Sequence, residues 1–168
     1  MINISLGGDS LDPFLEAALK YAYDKNIVII AAAGNYDPLW GSDVFYPAAY
    51  DNYCLAVAAT DYNDLRPDWS NYGPQVDVAA PGVEIISLFP NSSYAWGTGT
   101  SMAAPHVAGL AALIKSIKPW LTNAQIMKII RYTADDINSA DYPGKDDFIG
   151  YGRINMKKAL VPIEIKSP

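Results

Sequence analysis

The chain has 168 residues, 51% of them hydrophobic and 18% charged, with a net charge of −6 at pH 7. That length fits one domain and is enough to bury roughly 70% of the surface the unfolded chain exposes. The acidic balance, with no Lys/Arg cluster to offset it, argues against nucleic acid or an anionic membrane surface as a partner, and no apolar run approaches the ~18 residues of a membrane span.

Ile2–Leu6 reads as a strand that ends at Gly7-Gly8. No basic segment and no signal-like apolar run precede it, so the expectation is a chain that starts inside structure, with something upstream removed. Asp9 or Ser10 is expected to cap the helix that follows, with Leu11, Phe14, Leu15, Ala18 and Leu19 on one apolar face and an end near Lys25-Asn26. Ile27–Ala33 is a continuous apolar run of the kind a parallel strand shows when both its faces are buried. Strand, helix and strand make a βαβ unit.

Tyr36–Tyr46, with Pro38, Gly41 and Ser42, is expected to be loop, and Leu55–Ala59 a second buried strand. The one cysteine, Cys54, sits in Tyr53-Cys54-Leu55-Ala56-Val57 and reads as a buried, inert thiol. Asp61–Pro74 is turn-rich, Val76–Ala79 and Val83–Ile86 are short strands, and Pro90–Gly99 is expected to be loop. Ser101–Ile117 is helical and apolar on nearly all sides, which predicts a buried helix. Thr122 with Gln125 forms a capping-box pattern before Ile126, Ile129 and Ile130, and a last helix is expected over Asn155–Leu160. No domain boundary interrupts the pattern, so residues 1–168 are expected to belong to a single α/β domain.

The chemistry concentrates in Gly97–Gly109. Gly97 and Gly99 permit tight turns and close approach of another chain. Ser101 then stands at a helix N-terminus, where free N–H groups and the helix dipole favour negative charge. Locally this fits a nucleophile whose attack creates an oxyanion, and it fits equally a serine that merely caps the helix.

The stretch Gly99-Thr100-Ser101-Met102-Ala103-Ala104-Pro105-His106-Val107-Ala108-Gly109 resembles the serine signature of the subtilisin family over eleven consecutive positions. Asn3–Gly8 resembles that family's groove-lining strand, and Ala31-Ala32-Ala33-Gly34-Asn35 its oxyanion-hole segment. Tyr46-Pro47, Ser70–Gly82 and Gly150–Asn155 also match, so the resemblance runs from Ile2 to about Leu160. It implies an α/β, three-layer, subtilisin-like fold with a mostly parallel sheet, and a serine endopeptidase acting through an acyl-enzyme. It implies Ser101 as nucleophile and Asn35 as oxyanion donor alongside the Ser101 N–H. Ser5, Leu6 and Gly7 would form one wall of the substrate pocket, Ala32, Ala33 and Gly34 the other, with Thr100 beside them. It requires no cofactor, implies a peptide or protein substrate that pairs with the edge at Ser5–Gly7, and suggests a secreted protein. It also implies a weak Ca²⁺ or Na⁺ site at Ala48, Tyr50, Tyr53 and Asp77, a cis peptide at Tyr46-Pro47, and a core-packing role for His106 with a buried hydrogen bond.

One departure from the family pattern matters. A serine nucleophile needs a base, and the base needs an orienting carboxylate. In the family both lie upstream of the strand that Ser5–Gly7 resembles, and neither motif occurs here; His106 is the only histidine. The expectation is therefore the C-terminal portion of one catalytic domain, lacking N-terminal strands and the segments that bear the Asp and His. Such a chain would be nearly inert until it meets that half. The competing expectation is a non-catalytic peptide-binding or scaffold protein that kept the groove. An unrelated α/β hydrolase is disfavoured, because Gly99-Thr100-Ser101-Met102-Ala103 lacks the second Gly of the nucleophile elbow.

Overall fold

A computed structural model describes residues 1–36 and 41–161. Pro38, part of the loop expected between Tyr36 and Tyr46, lies outside them. Four strands, β1 (Ile2–Ile4), β2 (Ile29–Ala32), β3 (Cys54–Thr60) and β4 (Val76–Pro81), form one sheet in the order β1-β2-β3-β4. Every neighbouring pair is parallel: Ile2 sits opposite Ile29, Ile29 opposite Cys54, and Ala58 opposite Ala79. This is the mostly parallel α/β arrangement expected of the resemblance.

Every residue of β2 and β3 is buried, and alternation sends successive side chains to opposite faces. Ile30, Ala32, Leu55, Val57 and Ala59 meet α2 (Thr100–Ile117), α3 (Asn123–Tyr132) and α4 (Met156–Leu160) on one face. Ile29, Ala31, Cys54, Ala56 and Ala58 meet Leu19 of α1 (Pro13–Asp24) and Val44, Ala48 and Tyr50 of the following loop on the other. The sheet is thus the middle of three layers. Its many alanines let α2 pack close through Ala103, Ala104, Val107, Leu110 and Ala111. Cutting Leu110, fully buried here, to Ala would cost about 2–5 kcal/mol. Burial also pushes the Cys54 thiol up to about 12, with the charge of Asp77 adding to it, so Cys54 is buried and protonated.

Several local expectations need correction. The cap of α1 is Asp12, whose Oδ1 accepts from the N–H groups of Phe14 and Leu15, with Pro13 opening the helix. That shifts the apolar face: Leu15 and Leu19 pack, while Leu11, Phe14 and Ala18 are exposed. Helix α2 is buried only where it meets the sheet, because it forms an outer layer; Leu113 and Ile117 are exposed. Pro90–Gly99 is not all loop. Ser93–Gly97 forms β6, antiparallel to β5 (Ile85–Phe89), across a turn in which Asn91 and Ser92 hold positive φ. The alternating Tyr94 and Trp96 were the strand signal there. The Thr122–Gln125 capping box forms as expected, and Tyr46-Pro47 is cis.

Candidate active site

The site grows from the carboxyl ends of β1 and β2, where open parallel sheets commonly bind ligands. Beyond β1 lie Ser5, Leu6 and Gly7; beyond β2 lie Ala33, Gly34 and Asn35. The second of these segments is pinned by backbone bonds: Tyr36 N–H donates to Trp69 O at 2.6 Å, and Asn71 N–H to Gly34 O at 3.0 Å. Gly34 has φ +107°, and a Cβ placed on it would come within 2.6 Å of Asn71 Nδ2. Only glycine fits that turn.

Ser101 is not the cap of α2. Gly99 occupies the cap position and supplies no side chain, so Ser101 is the second helical residue. The capping is done at long range. The Thr100 N–H donates to Asn35 Oδ1 at 3.0 Å, the Thr100 hydroxyl donates to the same oxygen at 3.1 Å, and the Gly34 N–H donates to Thr100 Oγ1 at 3.1 Å. This fixes the orientation of the Asn35 amide. Among the described residues neither Asn35 Nδ2 nor the Ser101 N–H has an acceptor, so two donors at a helix N-terminus stand unused beside the Ser101 hydroxyl.

Pro105 explains a second link. A proline inside a helix cannot donate to the carbonyl four residues before it, which here is Ser101. The Ser5 hydroxyl donates to that carbonyl instead at 2.8 Å, and the Ser101 hydroxyl donates to Ser5 O at 3.1 Å. The end of β1 and the start of α2 are thereby tied together by two reciprocal bonds.

These segments enclose a cleft of about 190 Å³. Leu6 and Gly7 line one side, Ala32 and Gly34 the other, with Asn35, Thr100 and Ser101 at the mouth. The expected residues Leu6, Gly7, Ala32, Gly34, Asn35, Thr100 and Ser101 are therefore brought together, with Ser5 bonded behind them. Ala33 is not: its side chain is fully buried in the core on the α1 side of the sheet, as alternation from Ala32 requires. Phe45 also lines the cleft, and nothing in the sequence around it marked it out.

On its other side Ser101 faces an open hollow of about 430 Å³ shared with Ile85, Ile86, Ser87, Met102, Pro105 and His106. His106 is half-buried there and its Nδ1 lies 2.9 Å from Met102 O. It does not pack in the core as expected, because its position on α2 turns away from the sheet. Ala48 and Tyr50 are buried, Tyr53 is half-buried, and the Tyr50 carbonyl already accepts from Tyr53 and Cys54. Asp77 lies in a bulge between Val76 and Val78. Its Oδ2 accepts from the Ala56 N–H at 3.0 Å and its Oδ1 from Arg131 Nε at 2.7 Å. The one carboxylate expected at the cation site is thus already neutralised by an arginine. Burial pushes its carboxyl above the usual range, and Arg131 with the Ala56 N–H pulls it back. Among the described residues no group of three or more His, Cys, Asp or Glu is gathered to hold a metal ion.

The molecule is therefore an α/β protein with a serine-centred cleft at the carboxyl ends of its parallel strands. Its sequence matches the model of the subtilase family, peptidase S8, over residues 1–152, and the chain belongs to that family. It is 46% identical over 160 residues to the thermophilic serine proteinase of Bacillus sp. (strain AK1), covering 95% of this chain and 37% of that protein. It is 44% identical over 160 residues to thermitase of Thermoactinomyces vulgaris, covering 95% and 53%. It is 41% identical over 157 residues to subtilisin BL of Lederbergia lenta, covering 94% and 55%. The chain thus spans about half the length, or less, of the relatives it matches. No described helix is long and apolar enough to cross a membrane.

Proposed function

We propose that this chain is the nucleophile-bearing and substrate-binding part of a serine endopeptidase. The observation that carries the reading is the sharing of one cleft by the Ser101 hydroxyl, the unpaired Ser101 N–H and the oriented amide of Asn35. Ser101 Oγ attacks the scissile carbonyl, and the resulting oxyanion is held by Asn35 Nδ2 and the Ser101 N–H. Loss of the amine leaves an acyl-enzyme on Ser101, which water then hydrolyses. An extended peptide pairs with the backbone of Ser5–Gly7, the segment that continues past the end of β1. The reading needs no cofactor and suggests a secreted protease.

The base and its carboxylate come from outside these residues, through the hollow beside Ser101. His106 stands five positions after Ser101, about 1.4 turns along the helix, and among the described residues the Ser101 hydroxyl bonds to Ser5 O and not to the His106 ring. Without a base only about 10³–10⁴-fold catalysis over water remains. A fluorophosphonate probe tests this. The isolated chain should resist labelling, and the chain joined with the Asp- and His-bearing segment should label at Ser101 and cleave peptides. Ser101→Ala should abolish both, a loss on the order of 10⁶-fold in kcat, the size found for the nucleophile of a subtilisin. Groove binding of peptides with no labelling in the joined protein would favour a non-catalytic binder instead.

A further inference from the structure

We infer that Asn71 is a positioning residue for the oxyanion donor: its fully buried side chain cross-links the two loops that grip the Ala33–Gly34 turn, and so fixes where Asn35 points. The inference rests on the protease reading above and concerns how that protease holds its amide donor in place.

Asn35 follows a turn that is held at both of its carbonyls. The Phe45 N–H donates to Ala33 O at 2.8 Å, and the Asn71 N–H donates to Gly34 O at 3.0 Å. These two holds come from separate loops, one before β3 and one after it. Asn71 joins them, because its Nδ2 donates to Asp43 O at 2.7 Å. The bonds thus run from Ala33 to Phe45, along the chain to Asp43, across to Asn71 and back to Gly34, a closed ring. On the other side of Asn35 the Tyr36 N–H donates to Trp69 O at 2.6 Å, so the loop that carries Asn71 holds both neighbours of the donor. With its backbone held there and its Oδ1 taken by Thr100, Asn35 has its Nδ2 direction set.

Contact adds to the bonding. A Cβ on Gly34 would come within 2.6 Å of Asn71 Nδ2, so the amide lies directly against the turn. Asn71 does not line the cleft and acts on the reaction only through Gly34 and Asn35. Its chemistry also argues for the tie. Asn71 is fully buried, yet its Oδ1 has no partner among the described residues. A buried amide with an unpaired oxygen costs stability, and an apolar side chain of similar size would fill the space without that cost. What an apolar side chain cannot supply is the donor to Asp43 O.

The test uses the complete enzyme, this chain together with the segment that supplies the base, and one peptide p-nitroanilide. Rates are referred to the Ser101 sites that a fluorophosphonate labels at completion. Asn71→Leu keeps the volume and removes the donor; Asn71→Ser leaves a polar side chain too short to span to Asp43 O, and carries the test should the leucine variant fail to fold. Each should lower kcat by roughly tenfold with KM within about twofold, a part of the loss expected when the oxyanion donor is removed outright. In an Asn35→Ala background the same substitutions should change kcat by less than about twofold, because no amide remains to be positioned. An unaltered kcat, a rise in KM at constant kcat, or a loss undiminished in the Asn35→Ala background overturns the inference alone. A complete enzyme that cleaves nothing, or cleavage that survives Ser101→Ala, overturns the protease reading and this inference with it.

Discussion

Ser101 stands between two unlike surroundings. Toward the sheet, Asn35, Thr100, Gly34 and Ser5 form a closed set of hydrogen bonds around a narrow cleft. Toward β5, the serine opens onto a shallow hollow of mainly apolar side chains and one histidine turned to a backbone carbonyl. On the protease reading, the first side holds the donors for the oxyanion, already oriented. On the second, among the described residues, no side chain accepts from the Ser101 hydroxyl, which donates to Ser5 O instead. Preorganised donors account for a large share of catalysis and cost no rearrangement at the moment of reaction, so the two halves of the task separate cleanly in space. The hairpin continues the contrast: Ile86, Leu88, Tyr94 and Trp96 pair across one of its faces and are all exposed.

The contrast can be broken from the finished side. In the complete enzyme Asn35→Ala should lower kcat by roughly 10²–10³ with KM little changed, since the lost donor acts only on the oxyanion; the magnitude is that of a subtilisin. A large rise in KM at unchanged kcat would mean that Asn35 merely shapes the groove. Ser5→Ala should have a smaller effect. It strands the Ser101 carbonyl that Pro105 leaves without a helical partner, so urea unfolding should show a loss of about 1–2 kcal/mol and kcat/KM should fall by about tenfold. Unaltered stability would show that the tie between β1 and α2 contributes nothing.

From the open side the expected effect is the smallest. His106→Gln should change the peptidase rate by less than about threefold and leave the pH profile of kcat/KM in place, because on the protease reading the working base is another residue. A hundredfold loss with a displaced acid limb would make His106 the base and erase the difference between the two sides.

Much of this architecture was legible residue by residue. Ile27–Ala33 and the run around Leu55 announced buried parallel strands, because a strand covered on both faces has no polar positions to show. Thr122 and Gln125 announced their helix start, because a capping box involves neighbours three apart. The serine signature was legible as a contiguous string. Where local signals compete, the expectation fails: Asp9 and Ser10 are the capping residue types expected to start the helix, yet Asp12 caps it, and Pro90-Asn91-Ser92 is a turn signal that masks the strand after it.

The amino-acid order by itself determined the kind of element at most positions, the family, and Ser101 and Asn35 as the residues to watch, because each depends on patterns spanning a few neighbours. Only the tertiary structure decided what those residues meet. Asn35 caps a helix 65 residues away, Ser5 takes the carbonyl freed by Pro105, Arg131 neutralises Asp77, Ala33 turns into the far core, and Phe45 lines the cleft. The physical reason is that hydrogen bonds, ion pairs and excluded volume act over a few ångströms of space. Chain order says nothing about such distances until the parallel sheet has brought the ends of its strands together.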